Sequence, residues 1–134
     1  MLILLVINLL FNTQSNITLS LTDIRSAEGT IRIAFYDSEE QFLKTPTFSI
    51  SEPVSDMPAQ QIILEQIPVG EYAIAVFHDR NNNGEMDKNL LGIPTESFGF
   101  SNNKMGFASP PSFKQCLVKI TQPDTRLSID LINY

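Results

Sequence analysis

Apolar residues fall at every second position in one short segment after another, and that period limits what the chain can become. Ile17, Leu19 and Leu21 alternate with Thr18 and Ser20. Ile31, Ile33 and Phe35 share one face of Thr30–Tyr36, and Ile62 and Leu64 share one face of 61–66. Leu127, Ile129 and Leu131 alternate through 126–132. Successive side chains on a strand point to opposite faces, so period two is the mark of a half-buried strand. Residues 48–52 and 114–120 read as two further strands. In 72–77 both faces are apolar, with Tyr72, Ile74 and Val76 on one and Ala73, Ala75 and Phe77 on the other. That suits a central strand covered on both sides. With about seven strands and no sustained helical period, the chain is expected to be an all-β sandwich.

Turn residues add local detail. Ser26-Ala27-Glu28-Gly29 between the first two strands predicts a hairpin. Asp37 or Ser38, with Glu40 or Gln41 three residues on, predicts a short capped helix that Pro46 ends. Pro68-Val69-Gly70 ahead of Tyr72 allows two readings: a tyrosine corner, with the hydroxyl tied to upstream backbone, or a plain core aromatic.

The ends and the charge bear on compartment and partners. Leu2–Phe11 is apolar except for Asn8, and small residues follow at Thr13 and Ser15. This reads as a secretory signal over 1–15, cut near Ser15–Asn16, that leaves one domain over 16–134 in a secreted or periplasmic protein. No Lys or Arg precedes the run; the alternative is a buried first element. The run is too short for a spanning helix, so the protein is not expected to cross a membrane. Net charge is −6, which argues against nucleic acid and anionic membranes as partners. Cys116 is the only cysteine; no internal disulfide can form, and its apolar neighbours suggest a buried thiol.

Residues 78–113 break the strand rhythm. They hold four of the six glycines, three of the eight prolines and six asparagines, yet also Phe98, Phe100, Phe107 and Phe113 as anchors. The segment is expected to be one long, ordered, functional loop. It opens on Asp79-Arg80-Asn81-Asn82-Asn83-Gly84-Glu85-Met86-Asp87. Oxygen donors at positions 1, 3, 5 and 9, with glycine at 6, suit a hard cation such as Ca²⁺. Asp79, Asn81, Asn83 and Asp87 would ligate by side chain and Glu85 by its backbone carbonyl. Leu90 stands where a helix-loop-helix site carries its bidentate Glu, so a weak site is expected, with Kd about 10⁻⁴ to 10⁻³ M. The competing reading is a polar turn, since Asn and Gly tolerate positive φ.

His78, Glu96, Phe98, Phe100, Asn102 and Asn103 combine aromatic and amide chemistry in that loop. They are candidate binders of a carbohydrate, a peptide or a protein at the cell envelope. No catalytic constellation is visible. A small envelope hydrolase would need His78, Glu96 and Ser97 around one deep pocket. A third reading is a structural domain that assembles through a flat face or a strand edge.

Taken together, Pro68-x-Gly70-x-Tyr72, Val76-Phe77-His78-Asp79, the 79–87 loop and Leu91-Gly92-Ile93-Pro94 form a linked set. Gly99-Phe100-Ser101-Asn102-Asn103, Pro110-Pro111-Ser112-Phe113 and the earlier Ile33–Leu43 stretch extend it. With these motifs the chain resembles the bacterial family called domain of unknown function 2141. The resemblance implies a secreted, single-domain, immunoglobulin-like or prealbumin-like antiparallel sandwich, and no established activity.

Overall fold

The computed structural model describes residues 13–106 and 109–134. Its strands are β1 (Gln14–Thr22), β2 (Thr30–Tyr36), β3 (Phe48–Pro53), β4 (Gln61–Pro68), β5 (Gly70–Asp79), β6 (Phe98–Phe100), β7 (Leu117–Ile120) and β8 (Asp124–Asp130). A one-turn helix, α1 (Phe113–Cys116), precedes β7. One sheet runs β4-β1-β8. In the other, β2 lies between β3 and β5, and the far edge of β5 is shared end to end by β6 and β7.

The period-two residues explain the core. Ile17, Leu19 and Leu21 of β1 pack in one buried cluster with Ile31, Ile33 and Phe35 of β2 and Ile74 and Val76 of β5. Each such side chain contributes about 1.5–3 kcal/mol on burial. Phe35 stacks on Phe48 at 4.5 Å and meets Tyr72 edge-on at 5.7 Å.

Four expectations need correction. β1 and β2 do not form a hairpin: β1 pairs with β4 and β8, and β2 with β3 and β5. Residues 23–29 cross from one sheet to the other instead of reversing within one. The sheets are not wholly antiparallel, because β1 and β8 run parallel. Residues 37–43 form turns, not a helix. The Asp37 carboxylate accepts from Thr47 Oγ1 (2.9 Å), so it caps nothing, and Leu43 takes φ +59°. Finally, 78–113 is not one loop, since Phe98-Gly99-Phe100 returns to pair with β5.

The leader expected over 1–15 falls largely outside the described residues. β1 begins at Gln14, ahead of the expected cut between Ser15 and Asn16. Ser15 is buried, pairs with Ile67, and donates its hydroxyl hydrogen bond to Pro123 O (3.2 Å). Among the described residues no helix is long and apolar enough to cross a membrane.

Where β6 leaves β5 and β7 takes over, Ile74 faces neither strand. Its N–H donates to Ser101 Oγ (2.9 Å), and the Ser101 hydroxyl in turn reaches Cys116 O. A side chain thereby completes a ladder that two strands leave open. Burial pushes the neighbouring Cys116 thiol up to about 11. At Tyr72 both readings hold together. The ring is in the core and the hydroxyl donates to Pro68 O (3.0 Å). Tyr72→Phe is expected to lower stability by about 1 kcal/mol, the net worth of one hydrogen bond, as read by urea unfolding. An unchanged midpoint would show the tie to be idle.

Candidate functional site

β5 delivers two buried polar residues to the mouth of the loop. His78 lies on the core-facing side of the strand. Its Nε2–H donates to Glu28 O (2.6 Å), and Nδ1 has no partner among the described residues. Asp79 lies on the opposite face and is fully buried. The β2–β5 register sets Thr30 opposite Asp79, so Arg32 is the diagonal neighbour on the same face. Arg32 Nε donates to Asp79 Oδ2 at 2.7 Å. The same carboxylate accepts from Gly84 N–H (2.8 Å) and Asn83 N–H (3.2 Å). Burial alone would raise the Asp79 pKa. The Arg32 contact and these backbone donors outweigh it and hold the carboxyl below its ordinary range.

The loop side chains close on one another. Asn81 Oδ1 accepts from Asn83 N–H (3.3 Å), and Asn83 Oδ1 accepts from Glu85 N–H (2.9 Å). Both amide Nδ2 groups donate to Asp87, at 2.6 and 2.7 Å. Asn81, Asn83 and Asp87 are thus linked in one ring, and the Asp79 carboxylate joins it through the Asn83 N–H, while the Glu85 side chain is exposed. Glu96, a candidate binder by sequence, is buried and clasps this loop. It accepts from Arg80 N–H (2.8 Å) through Oε2 and from Asp87 N–H (3.1 Å) through Oε1.

The donor set suits a hard cation of low affinity. Carboxylate and amide oxygens are the right chemistry for Ca²⁺. Arg32 cancels the Asp79 charge, so Asp87 would supply the net negative charge of the ring. Among the described residues, no three His, Cys, Asp or Glu side chains cluster as a metal site. Half of the expected side-chain ligands are Asn, which keeps the ring outside such a cluster.

Beside the loop lies a cleft of about 960 Å³ over the outer face of the five-stranded sheet. Its floor includes Ala34, Ala75 and Phe77; Met86, Leu91 and Ile93 line it from the loop. Phe98 and Phe100 also line it, within a second buried cluster that includes Tyr36 and Cys116. The other expected site residues lie elsewhere. Asn102 holds Gln115 O (3.0 Å) and Leu117 O (2.9 Å), and Asn103 accepts from Asp130 N–H (2.9 Å). His78, Glu96 and Ser97 do not line the cleft. Ser97 Oγ is hydrogen-bonded to Asn133. Sequence reasoning missed Arg32, Ala34 and Ala75, because only the strand register brings them to this face.

Fold and site together define an all-β module of two sheets whose oxygen-rich loop borders an apolar cleft. A family model, described as an uncharacterized protein conserved in bacteria (DUF2141), matches residues 19–128, and the chain belongs to that family. No curated protein and no solved structure matches it.

Proposed function

We propose that the protein is an exported bacterial binding module, an immunoglobulin-like or prealbumin-like sandwich in which Ca²⁺ at the 79–87 loop stiffens one wall of a ligand cleft. One observation carries this reading: the turn that gathers the oxygen donors also places Gly84 and Met86 on the cleft. The apolar 2–11 run supports export, and cleavage ahead of Thr13 would keep β1 whole. Asp79, Asn81, Asn83 and Asp87 would hold the ion by their side chains and Glu85 by its carbonyl. The ion would supply a fixed positive charge that orders the loop. With Arg32 on Asp79, affinity belongs at the weak end, Kd about 10⁻³ M.

At 10 mM Ca²⁺ linkage then gives about 1.4 kcal/mol, or about 5 °C in melting temperature. Thermal melts with and without Ca²⁺ check this. Asp87→Ala removes an outer donor and leaves the buried Asp79–Arg32 pair intact. It is expected to abolish the rise. No rise in the parent protein, or an equal rise in the variant, would overturn the ion reading.

A further inference from the structure

We infer that the cleft takes an amphipathic carboxylate: an alkyl chain with one anionic head. This rests on the reading of the cleft as a ligand site and names what it would hold.

The first observation is a segregation of charge. The chain carries fifteen acidic and nine basic side chains. Three of the basic ones, Arg32, Lys44 and Lys88, line the cleft, and among the described residues no acidic side chain does. In a protein of net charge −6 that is the reverse of the overall balance. Arg32 is engaged by Asp79 and by Ser51 Oγ (3.2 Å). Lys44 and Lys88 are exposed and make no ion pair among the described residues. Two available ammonium groups thus border an apolar space, an arrangement complementary to a ligand with one negative end.

The second observation is the shape of the floor. Ser49, Ala34 and Ala75 lie in register across β3, β2 and β5, and the row ends at Phe100 on β6. Strands are spaced about 4.8 Å apart, so these three small side chains make a shallow trough about 10 Å long. Two positions along, about 7 Å away on the same face, stand the larger Arg32 and Phe77 on one side and Tyr36 on the other. Ala34 and Ala75 are only half-buried, so the trough is open to the cleft. Met86 and Met105 line the space with flexible thioether side chains that adapt to an alkyl chain.

Beyond the cations, the polar side chains that line the cleft carry hydroxyls alone: Ser49, Ser51, Ser109 and Tyr134, all exposed, and the buried Tyr36. A sugar would require several buried donors and acceptors to replace its hydration. An alkyl carboxylate needs only one charged contact and an apolar bed.

The test is isothermal titration of the whole protein with sodium dodecanoate, dodecan-1-ol and dodecyltrimethylammonium, each below its aggregation threshold. Dodecanoate is expected to bind most tightly. The double variant Lys44→Gln/Lys88→Gln should weaken dodecanoate about ten-fold and leave dodecanol unchanged. Ala75→Phe, on the outer face, should abolish binding of all three with the far-UV spectrum retained. Equal affinity for dodecanol and dodecanoate, or no loss in the lysine variant, would overturn the carboxylate inference but keep the cleft as a ligand site. Failure of all three probes to bind would overturn both.

Discussion

Gly29→Ala is expected to cost at least about 3 kcal/mol and to lower the melting temperature by more than about 10 °C. Gly29 sits at φ +83°, where a Cβ is already strained. A Cβ built there would lie 2.3 Å from Asp79 O and 2.5 Å from Arg80 Cα. Both are backbone atoms, so no side chain can swing away. The neighbours of Gly29 cannot yield cheaply either: Glu28 O accepts from the buried His78, and Gly29 O accepts from Val54 N–H (3.1 Å). The 26–29 turn is therefore wedged against the end of β5 where the loop begins. Thermal and urea unfolding of the variant check this. A loss below about 1 kcal/mol would mean that the turn moves aside and that the close approach is not a constraint.

The second large effect is at Arg32. Arg32→Met leaves the Asp79 carboxylate fully buried with two backbone donors and no counter-charge. Breaking a buried pair by removing one partner costs about 3–5 kcal/mol. The Arg32 side chain is 30 % exposed and water can partly replace it, so about 2–3 kcal/mol is expected here. Asp79→Ala loses the same pair and also takes the acceptor from the Gly84 N–H, while the Asn83 N–H keeps Asn81 Oδ1, so it should cost about as much. The double variant should lose less than the sum of the two, by about 1–2 kcal/mol of coupling. Strict additivity in urea unfolding would show that the two side chains do not sense each other.

Strands with clean alternation were legible because burial imposes their period: β2, β5 and β8 lie close to where the apolar spacing puts them. Pairing was not legible. Ser26–Gly29 signals that the chain turns, but nothing local says whether it returns to the same sheet. β6 is three residues long, too short for a period to emerge, although Phe-Gly-Phe is itself one cycle of alternation. α1 carried a readable signal. Ser112 and Gln115 form a capping box, with Gln115 N–H on Ser112 Oγ (3.2 Å) and Ser112 N–H on Gln115 Oε1 (3.0 Å). The strand pattern running into 114–120 hid it.

The candidate site divides in the same way. The Asn81, Asn83 and Asp87 side chains do meet, because their spacing is a property of the local turn. The Arg32 pair, the Glu96 clasp and the trough over Ala34 and Ala75 depend on which residues face each other across the fold. A single chain read along its length carries no such information. Two of the aromatics expected to anchor 78–113 do pack inward: Phe113 meets Phe42 at 5.8 Å and Phe100 meets it at 6.5 Å.

The parallel β1–β8 pair has a consequence for how the molecule comes into being. β1 is the middle strand of its sheet, yet one of its two neighbours is β8, and contacts between them span 108 residues. As the polypeptide emerges during synthesis, β1 therefore waits with one edge unpaired until nearly all the rest has followed. Such long-range closure is slow, and an open hydrophobic strand edge invites pairing with another chain in the interval. Folding is thereby tied to completion of the polypeptide. A product that stops before residue 124 would lack Ile129 and Leu131 from the core as well as the strand that seals the sheet.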